Sequence, residues 1–253
     1  MRTLKDIGLF LVPNVRGLMY LERFISNNVL PNSIIVQGPD FLTSSLRLYP
    51  KEFFVRYFHY FSLGKDLSFY QKKYDLNFIQ LSNQDINSHE LKSVVENSKE
   101  KYFLFSGGGI IKHDLLETGK HFIHVHPGRL PAYKGSTCFY YSMLKEKKCT
   151  ATSFLMSANL DSGDIIVSQD FEVPKIPEQY WFFFDLIYNS WIRAEVVDLT
   201  LKHYVSKGNF FTKPQPENNS EFYYVIHPFL KNAALSMYTV NNNLVKSDST
   251  LIS

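Results

Sequence analysis

The fold is decided by the segment His121-Phe-Ile-His-Val-His-Pro-Gly-Arg-Leu-Pro-Ala-Tyr-Lys-Gly-Ser-Thr137. It predicts a short buried strand that runs into a rigid turn and then into a helix. Side chains alternate between the two faces of a strand, so Phe122, His124 and His126 are expected to share one face. The apolar residues between them would point into a core on the other face. Two imidazoles at the carboxyl end of a buried strand are unusual, and they indicate a functional site.

The turn after this strand is expected to be rigid. Its two prolines restrict the backbone, and its two glycines permit a tight turn or the close approach of a ligand. Either Ser136 or Thr137 is expected to cap a helix over 138–147.

Length and composition set broad limits. The chain has 253 residues, of which 45% are hydrophobic, enough for one domain with a sizeable core. No apolar run reaches the roughly 18 residues of a transmembrane helix, so no membrane partner is expected. Two cysteines cannot build a disulfide scaffold, which favours a cytoplasmic protein. A net charge of +3, with no basic patch, gives no indication of a nucleic-acid partner.

Short apolar runs alternate with helical periodicity, which is typical of an α/β protein with a mostly parallel sheet flanked by helices. We expect a catalytic domain over 1–205 and a small, partly ordered C-terminal extension over 206–253, in which 222–226 has strand character. The predicted strands are 7–12, 33–36, 77–81, 102–105, 121–126, 151–156 and 165–168, and the predicted helices are 15–25, 88–97, 110–118, 138–147 and 180–204.

The sequence does not decide the roles of two aromatic segments. The first, 41–72, could belong to the core or line a ligand pocket with its rings. The second, the predicted helix over 180–204, could pack internally or form the face of a homodimer.

A triple glycine follows the strand predicted at 102–105, in the sequence Ser106-Gly-Gly-Gly109. In open parallel sheets ligands bind beyond the carboxyl ends of the strands, and glycine presents bare backbone to them. The glycines lack the spacing of a dinucleotide-binding motif and the lysine of a phosphate loop. A plain turn without function therefore stays an alternative.

His124, His126 and Asp161 are the candidate catalytic residues. Asp161 is expected to project from a loop before the strand at 165–168. A histidine can donate to a developing oxyanion and exchange protons near neutral pH, and a nearby carboxylate would raise its pKa. Two other readings stay open: a zinc site, which lacks an evident third and fourth ligand near by, and a pair of structural histidines.

Two motifs separated by a helix carry a resemblance to a known family. They are His124-Val-His-Pro-Gly-Arg-Leu-Pro-Ala-Tyr-Lys-Gly135 and Leu160-Asp-Ser-Gly-Asp-Ile-Ile166. With them the chain resembles the 10-formyltetrahydrofolate-dependent formyltransferases, whose pattern is Asn-x-His-Pro-x-x-Leu-Pro-x-(Arg/Lys)-Gly followed by Asp-x-Gly. That family includes glycinamide ribonucleotide formyltransferase, methionyl-tRNA formyltransferase and the sugar N-formyltransferases. The resemblance implies a Rossmann-like formyltransferase fold.

The resemblance also implies roles for individual residues. His126 matches the catalytic histidine and Asp161 the catalytic aspartate, while His124 stands where the family has asparagine. An imidazole can still donate a hydrogen bond to the formyl oxygen. The residues expected to hold the formyl donor, 10-formyltetrahydrofolate, are Ser106, Gly107, Gly108, Gly109, Ile110, Ile111 and Leu160.

By resemblance, the acceptor is expected to be the amine of an amino sugar, free or nucleotide-linked, in the synthesis of a bacterial surface glycan such as lipopolysaccharide. The segment after Lys207 is short and sparsely basic for a tRNA-binding domain. The loop from Pro13 to Arg16 lacks the glycines expected of the purine enzyme. A folate-binding module without turnover and a metal-dependent amide hydrolase stay as alternatives.

Overall fold

The structure, a computed structural model, describes residues 1–38, 65–216 and 220–240. Most of the aromatic segment predicted over 41–72 lies outside these ranges. The strands are β1 (Arg2–Leu4), β2 (Ile7–Leu11), β3 (Val29–Pro31), β4 (Ile34–Gln37), β5 (Phe78–Leu81), β6 (Tyr102–Phe105), β7 (His121–His126), β8 (Tyr133–Gly135), β9 (Lys148–Leu155), β10 (Ile165–Glu172) and β11 (Glu221–Tyr223). The helices are α1 (Val15–Ser26), α2 (Leu67–Tyr74), α3 (His89–Glu96), α4 (His113–Leu116), α5 (Cys138–Glu146), α6 (Asn189–Lys207) and α7 (Pro228–Ser236).

A seven-stranded sheet in the order β10-β9-β7-β6-β2-β4-β5 forms the centre of the fold. The five strands from β7 to β5 in this order are parallel, whereas β9 runs antiparallel to β7, and β10 antiparallel to β9. Two smaller sheets pair β1 with β3 and β11 with β8, both in parallel. The predicted α/β class, with its mostly parallel sheet, is confirmed.

Helices cover both faces of the sheet, so its central strands are apolar on both sides. The larger core holds buried side chains of α1, α5 and α6, and the smaller core holds those of α3 and α4. Strand β7 follows the predicted alternation, because Ile123 and Val125 lie in the larger core and Phe122 in the smaller one. Helix α1 begins where Asn14 Oδ1 accepts the backbone N–H of Gly17 at 2.9 Å.

The predicted helix over 110–118 is wrong in length, since α4 covers only four residues. The reason is a side chain from another loop. Asn87 Nδ2 donates to the carbonyl of Ile110 at 3.0 Å, and Asn87 Oδ1 accepts the N–H of Lys112 at 2.7 Å. These bonds occupy the backbone groups that an earlier helix start would need.

The predicted N-cap position of α5 is correct, but the side-chain capping bond expected there is not formed. Thr137 occupies the N-cap position but makes no side-chain capping bond, and its φ is 51°. Its Oγ1 instead accepts the N–H of Ile226 at 2.8 Å and donates to the carbonyl of Tyr224 at 3.2 Å. The start of α5 is therefore fastened to the C-terminal tail.

The helix predicted over 180–204 is present but starts irregularly. A 3₁₀ turn at Glu178–Tyr180 and a π turn at Phe184–Tyr188 precede α6, which ends at Gly208 in the left-handed conformation. Its buried side packs in the larger core. The boundary at 205 and the homodimer stay predictions. In the tail, β11 falls at the start of the predicted strand, whereas α7 was not predicted.

Candidate active site

The carboxyl ends of the parallel strands open onto a cavity of about 630 Å³. This is the edge at which open α/β sheets bind their ligands. Strand β7 brings His124 and His126 to the cavity wall, and the loop between β9 and β10 brings Asp161. The structure therefore brings together all three candidate catalytic residues.

His126 and Asp161 form a buried pair, with their side chains 3% and 9% exposed and His126 Nδ1 3.5 Å from Asp161 Oδ2. The other ring nitrogen, Nε2, lies 2.9 Å from the backbone carbonyl of Tyr133. Because a carbonyl oxygen only accepts, Nε2 carries the ring hydrogen. Burial lowers the pKa of His126, although Asp161 acts in the opposite sense. In the neutral ring Nδ1 therefore faces the carboxylate with a lone pair.

The loop that carries Asp161 is held from two sides. Asp161 has a φ of 50°, and its Oδ2 accepts the backbone N–H of Gly135 at 2.9 Å. From the C-terminal tail, Gln215 Nε2 donates to the carbonyls of Asp161 and Gly163 at 3.0 and 2.7 Å. Gly163 has no room for a side chain, because a Cβ would lie 1.6 Å from the carbonyl oxygen of Leu155. These contacts hold a backbone conformation that is unfavourable for aspartate.

His124 lines the cavity and carries a polar atom that is not paired within the described ranges. Its Nδ1 is buried and has no hydrogen-bond partner among the residues that the structure describes. Burial lowers the pKa of His124 well below its ordinary value, and the charges of Arg193 and Arg16 lower it further. The ring is therefore neutral at physiological pH.

Two arginines line the same cavity, and they come from two different helices on this side of the sheet. Arg16 lies on α1, and its Nε donates to the carbonyl of Ser106 at 2.6 Å. Arg193 lies on α6, is 8% exposed, and donates through Nε to Asn189 Oδ1 at 3.0 Å. Burial, together with the charge of Arg16, lowers the pKa of Arg193 to about 9, so the guanidinium is still charged at pH 7.

The residues expected to hold the formyl donor divide into two groups. Those that line the cavity are Gly108, Gly109, Ile110 and Leu160. Those that do not line it are Ser106, Gly107 and Ile111. Ser106 Oγ accepts the N–H of Val12 at 2.9 Å, and Ile111 is buried in the smaller core. The part that these residues play in donor binding stays a prediction.

The C-terminal tail completes the wall of the cavity. Strand β11 pairs with β8 in the first motif, with Phe222 opposite Lys134. The side chains that the tail contributes are Phe222, Tyr223, Tyr224 and Val225. Three of them are largely exposed, Phe222 at 59%, Tyr224 at 85% and Val225 at 74%, and the two rings leave an aromatic rim at the mouth of the cavity.

Across residues 1–38, 65–216 and 220–240, no three His, Cys, Asp or Glu side chains are grouped so that they could hold a metal ion. Within the same ranges, no helix combines the length and apolarity needed to cross a bilayer.

The sequence is similar to that of known proteins over short segments. No profile of a known protein family matches the chain. A methionyl-tRNA formyltransferase of Rickettsia bellii is 31% identical over 70 residues, which are 27% of this chain and 23% of that relative. The chain thus matches about a quarter of the length of this relative.

Solved structures match nearly the whole chain. An N-formyltransferase from Helicobacter canadensis, in complex with folinic acid and dTDP-3-aminofucose, has a TM-score of 0.57 and 16% identity, covering 94% of this chain and 85% of that one. A sugar 3N-formyltransferase, solved with dTDP and 5-N-formyl-THF, has a TM-score of 0.56 and 15% identity, covering 94% and 83%. The chain has the formyltransferase fold. The resemblance seen in the sequence motifs is thereby confirmed at the level of the fold.

Within this formyltransferase fold, sequence reasoning missed the two arginines and the tail. A signal for Arg193 was present, because it lies on the same helical stripe as the buried Val196 and Val197. A charge on an apolar stripe is a candidate functional residue. For Gln215 and the exposed aromatic residues of the tail, the chain offered no comparable periodicity.

Proposed function

We propose that the protein transfers a formyl group from 10-formyltetrahydrofolate to the amine of an acceptor. The observation that carries the proposal is the His126–Asp161 pair, held at 3.5 Å in a cavity that His124 also lines. An imidazole and a carboxylate at this distance are suited to general acid–base work. No seryl or cysteinyl nucleophile is part of the scheme.

The residues around the cavity suit a flat donor. Beside Gly108 there is open space, since the nearest atom to a Cβ placed there would be a terminal nitrogen of Arg16 at 3.9 Å. Ile110 and Leu160 line the cavity with exposed apolar side chains, 67% and 46% exposed. We propose that these residues hold the pterin ring between backbone and apolar side chains. When bound, the donor supplies a formyl carbon that can accept the attack of an amine.

His126 and Asp161 would then act on the amine proton. Nε2 of His126 is already committed to the carbonyl of Tyr133, which leaves the lone pair of Nδ1 and the carboxylate facing each other. A proton arriving between them relieves the repulsion of two acceptors. In this scheme the pair receives the proton that the amine loses as its nitrogen bonds to the formyl carbon. The bond between that carbon and N10 of the donor would then break, and the same proton would pass to N10 of the departing tetrahydrofolate.

His124 would stabilise the charge that develops on the formyl oxygen. Its Nδ1 lacks a partner among the described residues, and the neutral ring would donate through this atom in the tautomer that carries its hydrogen on Nδ1. A donor that is already in place when charge develops typically contributes about 100- to 1000-fold in rate. His124 thereby takes the part that asparagine has in the family.

We further propose an amino sugar, free or nucleotide-linked, as the acceptor, in the synthesis of a bacterial surface glycan. Support comes from the structural neighbour that was solved with dTDP-3-aminofucose and from the aromatic rim of the cavity. A second candidate acceptor is methionyl-tRNA, because the curated relative with local sequence similarity is a methionyl-tRNA formyltransferase.

Incubation of the purified protein with 10-formyltetrahydrofolate and a panel of amino sugars, followed by mass spectrometry, tests the proposal. The expected result is the mass gain of one formyl group on at least one sugar. Formylation of charged initiator tRNA alone would favour the second acceptor. Binding of 5-formyltetrahydrofolate without any formyl transfer would indicate a binding module. Hydrolysis of formamides that depends on added metal would replace the proposal with an amide hydrolase.

A further inference from the structure

The cavity contains two cations that the proposed chemistry does not use. Arg16 and Arg193 both line it, although they come from different helices. In each, Nε is fixed by one hydrogen bond, to the carbonyl of Ser106 and to Asn189 Oδ1 respectively. This anchoring holds each guanidinium at the cavity wall, where Arg193 also interacts with the buried hydroxyl of Tyr20.

Neither guanidinium has a carboxylate partner in the part of the chain that the structure describes. Among the described cavity-lining residues the one acid is Asp161, and its Oδ2 already accepts from Gly135 and faces His126. Buried charges in proteins are as a rule paired. Within the described ranges neither arginine has a salt bridge, although the charge of Asp161 acts favourably on Arg193, and an anionic ligand would supply the missing partner.

A third arginine shows how this fold treats a structural cation. Arg23 on α1 is 2% exposed, and its terminal Nη2 lies 2.6 Å from Glu195 on α6. The same two helices thus join Arg23 to an acid, whereas they bring Arg16 and Arg193 to the cavity without a salt bridge to any described residue. Packing of α1 against α6 alone does not require this second arrangement.

We propose that Arg16 and Arg193 form an anion-binding subsite for a carboxylate or phosphate group carried by the acceptor. The two guanidiniums offer planar arrays of N–H donors, which suit the oxygens of either group. Both arginines act electrostatically on His124, so the bound anion would lie near the reaction centre. The assignment to the acceptor depends on the proposed formyl transfer, whereas the anion site itself does not.

The site would also set specificity. An acceptor without an anionic group would leave two like charges that repel each other in the cavity wall, an arrangement that is unfavourable where water is scarce. An anionic acceptor neutralises them. We therefore expect acceptors bearing a carboxylate or phosphate close to the amine to react in preference to neutral amines.

Titration calorimetry with inorganic phosphate and with acetate tests the site on the whole protein. We expect saturable binding of at least one probe to the wild type, and binding weaker by about 10- to 100-fold in Arg193→Met and Arg16→Met. Arg2→Met, at an exposed position outside the cavity, is the matched control and should bind like the wild type. Arg16→Met keeps the test decisive if Arg193→Met does not fold, because Arg16 is only partly buried.

The outcomes separate the possibilities. Binding of phosphate alone assigns a phosphate-bearing acceptor, and binding of acetate alone assigns a carboxylate. Failure of both probes to bind, or unchanged binding in the folded methionine variants, overturns the anion site even if formyl transfer is observed. Phosphate or acetate binding in a protein that transfers no formyl group would instead refute the proposed function alone. Reduced affinity of the variants for 5-formyltetrahydrofolate would overturn the assignment to the acceptor, because the anion would then belong to the donor.

Discussion

His126 Nδ1 lies 3.5 Å from Asp161 Oδ2, although one residue ends a central strand and the other lies on a distant loop. Contacts with the surrounding backbone hold each side chain in this position. Strand β7 fixes the imidazole, and the backbone N–H of Gly135 fixes the carboxylate by donating to Asp161 Oδ2 at 2.9 Å. The predictions that follow test the parts of this arrangement separately.

Asp161→Asn and His126→Gln should each reduce formyl transfer by about 100- to 10,000-fold, because each removes one member of the proton-accepting pair. Both variants should remain folded by circular dichroism. His113→Gln alters an exposed histidine on α4 and should have wild-type turnover. Turnover near that of the wild type in either site variant would contradict the scheme.

His124→Ala should lower turnover by about 100- to 1000-fold through loss of an oxyanion donor. His124→Asn should retain much more activity than His124→Ala, since the asparagine amide also donates. The comparison of the two variants under saturating donor separates donation from mere filling of space. Equal rates in both would show that no hydrogen bond from this position matters.

Stability should decrease as the pH falls below about 6.5, where free histidine takes up a proton. Burial lowers the pKa of His124 in the folded protein, so the unfolded chain binds this proton first. The free energy of unfolding then changes by up to about 1.4 kcal/mol per pH unit for this residue. Urea unfolding at several pH values should show a shallower dependence in His124→Asn than in the wild type. Identical slopes would mean that His124 titrates normally in the fold.

Gln215→Ala should disturb the Asp161 loop from a distance. The change removes two hydrogen bonds to the carbonyls of Asp161 and Gly163 and should lower the free energy of unfolding by about 1–2 kcal/mol. As a positioning residue, Gln215 should affect kcat more than KM. Gln169→Ala, on an exposed part of β10, is the control. A loss of stability with unchanged kcat would make Gln215 purely structural.

The triple glycine should divide into structural and ligand-facing positions. A Cβ on Gly107 would lie 2.3 Å from the ring of Phe105, whereas the space beside Gly108 is open. Gly107→Ala should therefore destabilise the fold by about 1–3 kcal/mol. Gly108→Ala should keep the stability of the wild type and bind 5-formyltetrahydrofolate about tenfold more weakly. Thermal unfolding and a binding titration measure both effects.

Much of the sheet could be predicted because its signals are local. The two-residue period of β7 was enough to place His124 and His126 on one face, and the apolar run at 102–105 gave β6. Helix α4 was predicted too long because its start depends on Asn87, which binds Ile110 and Lys112 from another loop. Such a contact leaves no mark in the periodicity of the helix itself.

The candidate site was predictable only in part. The sequence alone made His126 and Asp161 candidate catalytic residues, and the resemblance to a known family predicted that they lie in one site. The role of Arg193 was not predicted, because the aromatic pattern of 180–204 indicates a buried helix without showing which of its residues reaches the cavity. The participation of the tail depends on the pairing of β11 with β8. These segments are far apart in the chain, and the sequence of neither one indicates that they pair.

This pairing between β11 and β8 has a consequence for the growing polypeptide. Both motifs emerge from the ribosome well before the strand Glu221–Tyr223 that fastens the turn after β7. Until that strand docks, the pocket lacks one side and the start of α5 lacks its anchor at Ile226. A partly synthesised chain should therefore lack activity, and activity should arise late in translation, when the tail pairs with β8.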